Sequence, residues 1–346
     1  MNDTMPAHLR LSQMILALWV PQAIHAAAEL GIADTLSAGP QRARELAARI
    51  GADRDATERL LRALAVLGVL ELQGDRFALT EIGRCLETDS PSSRRAWSRL
   101  MGGREVWERW GRLVDCVRTG RMAARIDDEG VSASEHFDEM GMDPASAAVF
   151  HRAMVEMTRT SAPDIVRAID LAGARTIVDV GGGSGALLAA LLEAHPALRG
   201  SVLDLAHARE GALALFAERG LADRASFVAG DFFSEAPPRA DVLVIKSVIH
   251  DWDDERALRI LARCREAMDA QTRLVLIEPP SPDAPSTTSP LAWITAFSDL
   301  NMLVNTGGRE RTHREYVALL ERAELRVARV GDAGFWKTYE AVRARA

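Results

Sequence analysis

Three observations predict an α/β fold, a mostly parallel sheet preceded by a mainly helical amino-terminal part. From residue 175 onward, short and wholly apolar stretches alternate with helical ones, the pattern of parallel strands covered on both faces. A glycine turn, Gly181-Gly182-Gly183-Ser184-Gly185, joins the first of these stretches to the helix after it. Residues 1–100 instead carry apolar side chains at helical spacing, with one short alternating run.

The chain has 346 residues, 48% hydrophobic and 26% charged, which suits a soluble globular chain of two domains and excludes disordered or fibrous classes. Its formal net charge of −7 opposes sequence-independent phosphate binding. Only Lys246 and Lys337 are lysines among 42 basic residues, a coding bias rather than a binding device. Cys85, Cys116 and Cys264 are scattered and odd in number. They make neither a disulfide framework nor a zinc-ligand cluster, which fits a reducing cytoplasm. The apolar stretch 14–28 is broken by Pro21 and His25 and reads as neither signal peptide nor membrane span.

In chain order, Leu11, Met14, Ile15, Leu18 and Trp19 begin a helix that runs on to Gly31, with more apolar surface than a lone chain leaves wet. Residues 42–70 read as two amphipathic helices joined through Gly51 and Ala52. Residues 70–80 alternate around Gly74-Asp75 and read as a hairpin. Together these resemble a winged helix. The second helix balances Asp53, Asp55 and Glu58 against Arg54, Arg59 and Arg62, so it lacks the basic face of a DNA reader and suits dimerisation.

A helical middle follows, in which Ser90-Pro91 and Asp143-Pro144 each place a capping residue before a proline at a first helical position. Trp97, Trp107 and Trp110 lie on the first helical stretch, and Phe150, Met154 and Met157 share a face of the second. Such stripes are either core or the wall of a flat-ligand pocket. The domain division expected is 1–100 for the winged-helix-like part, 101–170 for the helical middle and 171–346 for the α/β part.

The glycine turn lets the backbone approach a ligand at a helix start. Gly181, Gly183 and Ala186 satisfy a relaxed dinucleotide fingerprint, and Asp204 ends the next strand where a carboxylate can accept ribose hydroxyls. These features alone do not separate a nicotinamide dinucleotide from other adenosine cofactors. Further on, Gly230-Asp231-Phe232-Phe233 ends a strand where a carboxylate can meet an adenine amino group and a ring can pack on the base. Lys246-Ser247 closes another strand and His250-Asp251-Trp252 follows it.

In order and spacing, DVGGGSG, LDL, GDFF, IKSVIHDW, IE and NTGGRERT resemble the class I S-adenosylmethionine-dependent small-molecule O-methyltransferases, including the caffeic-acid type and the bacterial antibiotic-tailoring branch. The resemblance covers nearly the whole chain. It implies a Rossmann-like seven-stranded sheet with an antiparallel last strand, an intertwined homodimer, S-adenosylmethionine as cofactor and no metal. The adenosine site would then comprise Gly181, Gly183, Asp204, Leu205, Gly230, Asp231, Phe232, Phe233, Lys246 and Ser247. One departure is Leu205-Ala206-His207, where members commonly have Leu-Pro.

Methyl transfer to a phenol needs alignment of the oxygen and a base for its proton. Among eight histidines, His250 stands just past the carboxyl end of a strand, where open parallel sheets bind ligands. At an ordinary pKa of about 6.5 its neutral form predominates at pH 7. The resemblance makes His250 the general base, Glu278 and Glu310 its orienting pair, and Asp251 a substrate or histidine contact. Phe150, Met154, Met157, Trp293, Phe297, Asp299, Asn301 and Met302 are the expected lining of an aromatic acceptor pocket. The expected partner is thus a small aromatic molecule, with no nucleic acid and no membrane. The alternatives are a relative that keeps the cofactor but performs hydroxylation, decarboxylation or rearrangement, a ligand-sensing transcription factor, and a nicotinamide-dependent dehydrogenase.

Overall fold

The computed structural model describes residues 5–126 and 144–344, and forms two compact units, Met1–Glu108 with Arg152–Met157, and Arg109–His151 with Thr158–Ala346. His136 and the expected capping residue Asp143 lie outside the described residues.

In the first unit the expected long opening helix is two helices, Ala7–Leu16 and Trp19–Glu29, parted by a turn at Ala17 and Leu18. Taken as one span, Ala7–Glu29 is long and apolar enough to cross a membrane by length and composition. Leu11, Met14, Ile15, Leu18 and Trp19 are all exposed on it. Helices Ala43–Ile50 and Arg54–Val66 follow, the second capped by the Asp53 carboxylate, which accepts the Ala56 N–H at 2.8 Å. Strands β1 (Leu70–Gln73) and β2 (Arg76–Leu79) pair antiparallel across Gly74-Asp75, and Gln41 bridges to Phe77, completing a winged-helix-like arrangement. Leu46, Leu61, Leu64, Leu70 and Phe77 form its core.

Ser90-Pro91 does not open a helix; the chain turns there and the helix begins at Arg95. The reason is a distant cap. Buried Glu156 accepts the Ala96 and Trp97 N–H groups at 3.0 and 3.1 Å and the Ser93 hydroxyl at 3.1 Å, satisfying donors that a local cap would otherwise serve. Gly103 then separates the Trp97 helix, Arg95–Gly102, from Arg104–Trp110, which carries Trp107 and Trp110.

The second unit holds β3 (Thr176–Val180), β4 (Arg199–Asp204), β5 (Ala225–Ala229), β6 (Val242–Lys246), β7 (Arg273–Glu278), β8 (Leu325–Ala333) and β9 (Trp336–Arg343). They form one seven-stranded sheet in the order β5-β4-β3-β6-β7-β9-β8, with β9 antiparallel to both neighbours. Alternation along each strand explains their apolar composition. Val178, Val180, Leu243, Ile245, Leu274 and Leu276 enter one core, while Ile177, Val202, Val242, Val244, Val275 and Ile277 enter the other. The chain leaves β3 toward β4 and β5, then returns to place β6 on the other side of β3, so a switch point opens at the carboxyl ends of β3 and β6. Val180, Asp204, Ala229, Lys246 and Glu278 all terminate strands at that edge.

Candidate active site

The glycine turn leaves β3 with positive φ at Gly181, Gly183 and Gly185. At Gly185 the requirement is doubled, since φ is +72° and a Cβ would lie 2.5 Å from the Phe216 ring. At Gly183 a Cβ would meet nothing within 4 Å, so that side of the turn is open. The Gly183 N–H donates to one Asp204 oxygen and the Leu205 N–H to the other, both at 2.7 Å, which fixes the carboxylate and leaves lone pairs for further donors. Burial nevertheless raises the Asp204 pKa against those two bonds.

Gly230 begins the turn after β5, where Asp231 accepts the Phe233 N–H and the Ser234 hydroxyl, both at 2.8 Å. Phe232, Phe233 and Trp252 pack edge to face. Phe232 also borders the glycine turn, 3.4 Å from where a Cβ on Gly181 would stand. Lys246 donates to the Ser247 hydroxyl at 3.2 Å and lies 4.4 Å from the Trp336 ring centroid. Burial lowers its pKa to about 8, although Glu278 and Asp179 oppose that. Ser247 itself has a φ of +54°, rare for a residue with a side chain and typical of strained functional turns.

His250 sits in a short turn after β6, its side chain 12% exposed. Its Nδ1 lies 3.4 Å from Glu278 and 3.3 Å from Glu310, while Nε2 lies 3.8 Å from Asp251. Both glutamates therefore stand on the Nδ1 side of the ring, and Asp251 on its Nε2 side. Glu278 is held by the Val248 and Ile249 N–H groups at 3.2 and 2.9 Å, and Glu310 by the Ser298 hydroxyl at 2.7 Å. Asp299, an expected pocket residue, instead accepts the Glu310 N–H at 2.8 Å.

The electrostatics correct one expectation. Burial disfavours a charged imidazole, but Glu278, Glu310 and Asp251 outweigh it and raise the His250 pKa to about 10. At pH 7 the free site holds a proton on this ring. Burial raises Asp251 to about 7 against the pull of His250, and also raises Glu278; Glu310 is lowered, because His250 and Ser298 overcome its burial. An isolated histidine predicts a neutral ring, whereas three carboxylates around one ring do not.

The expected acceptor residues stand in different settings. Trp293 and Phe297 lie with tilted rings, centroids 4.8 Å apart, and are exposed on helix Pro290–Asn305. Asn301 spends its side-chain oxygen on Trp110 at 3.0 Å and Asn305 at 2.9 Å, and Met302 is buried. Phe150 packs on His151, which meets His207 at 3.3 Å. Met154 and Met157 belong to the first unit. Sequence reasoning missed Ser298, Trp336 and Arg311. The last is buried beside the His250 loop and its signal is masked by the abundance of arginine.

A seven-stranded sheet with β9 antiparallel, a glycine turn at the switch point and the Asp204 carboxylate ending β4 define the class I methyltransferase fold. A family model for the O-methyltransferase domain matches residues 110–326, and one for the O-methyltransferase dimerisation domain matches residues 12–89. The chain is 39% identical to the mitomycin biosynthesis 6-O-methyltransferase of Streptomyces lavendulae over 92% of its length and 89% of that relative. It is 35% identical to the aclacinomycin 10-hydroxylase of Streptomyces purpurascens over 92% of its length and 84% of that relative. A solved O-methyltransferase from neocarzinostatin biosynthesis, in complex with S-adenosylmethionine and 2-hydroxy-5-methyl naphthoic acid, is 34% identical at a TM-score of 0.78, covering 94% of this chain and 96% of that one. The chain belongs to the S-adenosylmethionine-dependent O-methyltransferase family.

Proposed function

We propose that this enzyme methylates a phenolic or enolic hydroxyl of an aromatic natural product, with His250 as general base, and that it works as a homodimer. The observation that carries the reading is the imidazole just past the carboxyl end of β6, with two glutamates on its Nδ1 side and Nε2 on the other. An aromatic acceptor agrees with the naphthoic acid in the neocarzinostatin-pathway enzyme and with the oxygen named in the mitomycin relative.

Gly181, Gly183, Asp204, Leu205, Gly230, Asp231, Phe232, Phe233, Lys246 and Ser247 are the residues that would hold S-adenosylmethionine. The open side of Gly183 and the spare lone pairs of Asp204 fit a backbone approach and a ribose diol. When bound, the cofactor supplies an electrophilic methyl group on a cationic sulfonium. The chain's own part is to align and to move a proton. His250 must first lose the proton that the three carboxylates hold on it, which any added positive charge nearby favours. Nε2 then takes the hydroxyl proton of the acceptor, and Glu278, Glu310 and Asp251 stabilise the imidazolium so formed. Within the second unit the candidate acceptor residues are Phe150, Trp293, Phe297, Asp299, Asn301 and Met302, with Asp299 acting through Glu310 and Asn301 through Trp110.

Homodimer formation is supported by the dimerisation-domain match and by the exposed apolar face of Leu11, Met14, Ile15, Leu18 and Trp19. The helix Arg54–Val66, charge-balanced once its Asp53 cap is counted, favours that role over binding nucleic acid, and the apolar face of the opening helices is accounted for by a second copy rather than a membrane. The reaction is tested by incubating the enzyme with S-adenosylmethionine and a panel of aromatic phenols. An O-methylated product with equimolar S-adenosylhomocysteine is expected. An altered acceptor without S-adenosylhomocysteine would point instead to non-methylating chemistry, a reading kept open by the aclacinomycin hydroxylase relative.

A further inference from the structure

The segment that supplies Glu310 is also laced to the turn that carries His250. The Arg309 N–H donates to the His250 carbonyl at 2.9 Å. Arg311, 1% exposed, donates from Nη1 to the Ile249 carbonyl at 3.0 Å and from Nη2 to the Trp252 carbonyl at 2.9 Å. One guanidinium thus grips the chain on both sides of His250. Its Nε and Nη2 also reach Asp254 Oδ1, at 3.1 and 2.8 Å, where the helix Asp254–Ala267 begins. The fit is close along the whole strap, since a Cβ on Gly308 would stand 2.2 Å from the His250 carbonyl oxygen. A buried cation is a poor way to gain stability, because desolvation opposes it. What it provides is geometry. A planar fork can hold two carbonyls and a carboxylate at fixed angles, which a flexible ammonium cannot.

Resting on the reading of His250 as base, we propose that Arg311 is a positioning residue for methyl transfer. It fixes the 249–252 turn so that Nδ1 faces Glu278 and Glu310 and Nε2 faces the acceptor. The same short segment therefore delivers one orienting carboxylate and sets the height of the ring that this carboxylate orients. Arg311 touches no reacting atom, and its effect passes entirely through His250.

The test compares wild-type enzyme, R311K and H250A, each as the full chain labelled with 15N-histidine. The His250 ring resonances are assigned by their loss in H250A. R311K keeps the charge and loses the fork. It is expected to fold and bind S-adenosylhomocysteine normally, to keep the acceptor KM, and to lose about ten- to a hundredfold in kcat, as misplacement of a reacting group does. Its His250 resonances should move. Wild-type kcat in R311K would overturn the proposal, and so would a loss that tracks only the folded fraction with those resonances unmoved. Full turnover by H250A would instead defeat the base assignment, while the resonances in R311K would still decide whether Arg311 places the ring.

Discussion

At the scale of single residues, the feature that most shapes the chemistry is the crowding of three carboxylates around one imidazole. Asp251, Glu278 and Glu310 lie within 3.8 Å of His250 and hold a proton on it well above neutrality. A general base acts only when neutral, so kcat/KM should rise with pH through the His250 titration. Removing a carboxylate charge lowers that pKa. In Glu310→Gln, which keeps an oxygen for Ser298, the rising limb should therefore shift to lower pH while the maximal rate falls. A pH–rate profile whose limb stays put or moves upward would refute this role for Glu310. Membership of this cluster came from the family resemblance of the IKSVIHDW, IE and NTGGRERT motifs, in which His250 follows one apolar strand, Glu278 ends another and Glu310 sits in a polar loop. The raised pKa was not, since it depends on how three separate segments converge. Arg311 was hidden for a related reason, as one arginine among many gives no hint that it is buried.

At the scale of elements, the site depends on where strands end and on how tightly one turn is packed. The β3 turn tolerates no side chain at Gly185, where φ and the Phe216 ring both forbid it. Gly185→Ala should lower stability by about 1–3 kcal/mol through overpacking, and should weaken S-adenosylhomocysteine binding as the Gly183 N–H shifts away from Asp204. Thermal denaturation and titration calorimetry check the two effects, and unaltered values for both would contradict the packing argument. Apolar runs made the central strands β3, β6 and β7 readable, because burial on both faces demands them, whereas the edge strands β5 and β8 are largely exposed. Helix starts in the middle of the chain were less readable. Ser90-Pro91 carries a good local start signal, yet Glu156, about sixty positions later in the chain, supplies the cap that the helix actually uses. Asn301 likewise looked free to meet an acceptor until Trp110 and Asn305 claimed its oxygen.

At the scale of the whole molecule, a chain of this composition leaves one apolar helical face uncovered at its amino-terminal end. Leu11 and Ile15 are exposed one turn apart on Ala7–Leu16, which is where a second copy is expected to lie. Replacing both with glutamate should convert a dimer to a monomer in sedimentation velocity, and an undisturbed dimer would place the contact elsewhere. The break at Ala17 and Leu18 was not visible in the periodicity, because apolar residues continue on both sides of it.

The account rests on His250 taking the acceptor's proton, and the most direct measurement is the turnover of His250→Ala at saturating S-adenosylmethionine and acceptor, alongside its affinity for S-adenosylhomocysteine. General-base catalysis predicts a rate lower by about 10²- to 10⁴-fold with cofactor affinity preserved. Full turnover with normal cofactor binding would contradict it.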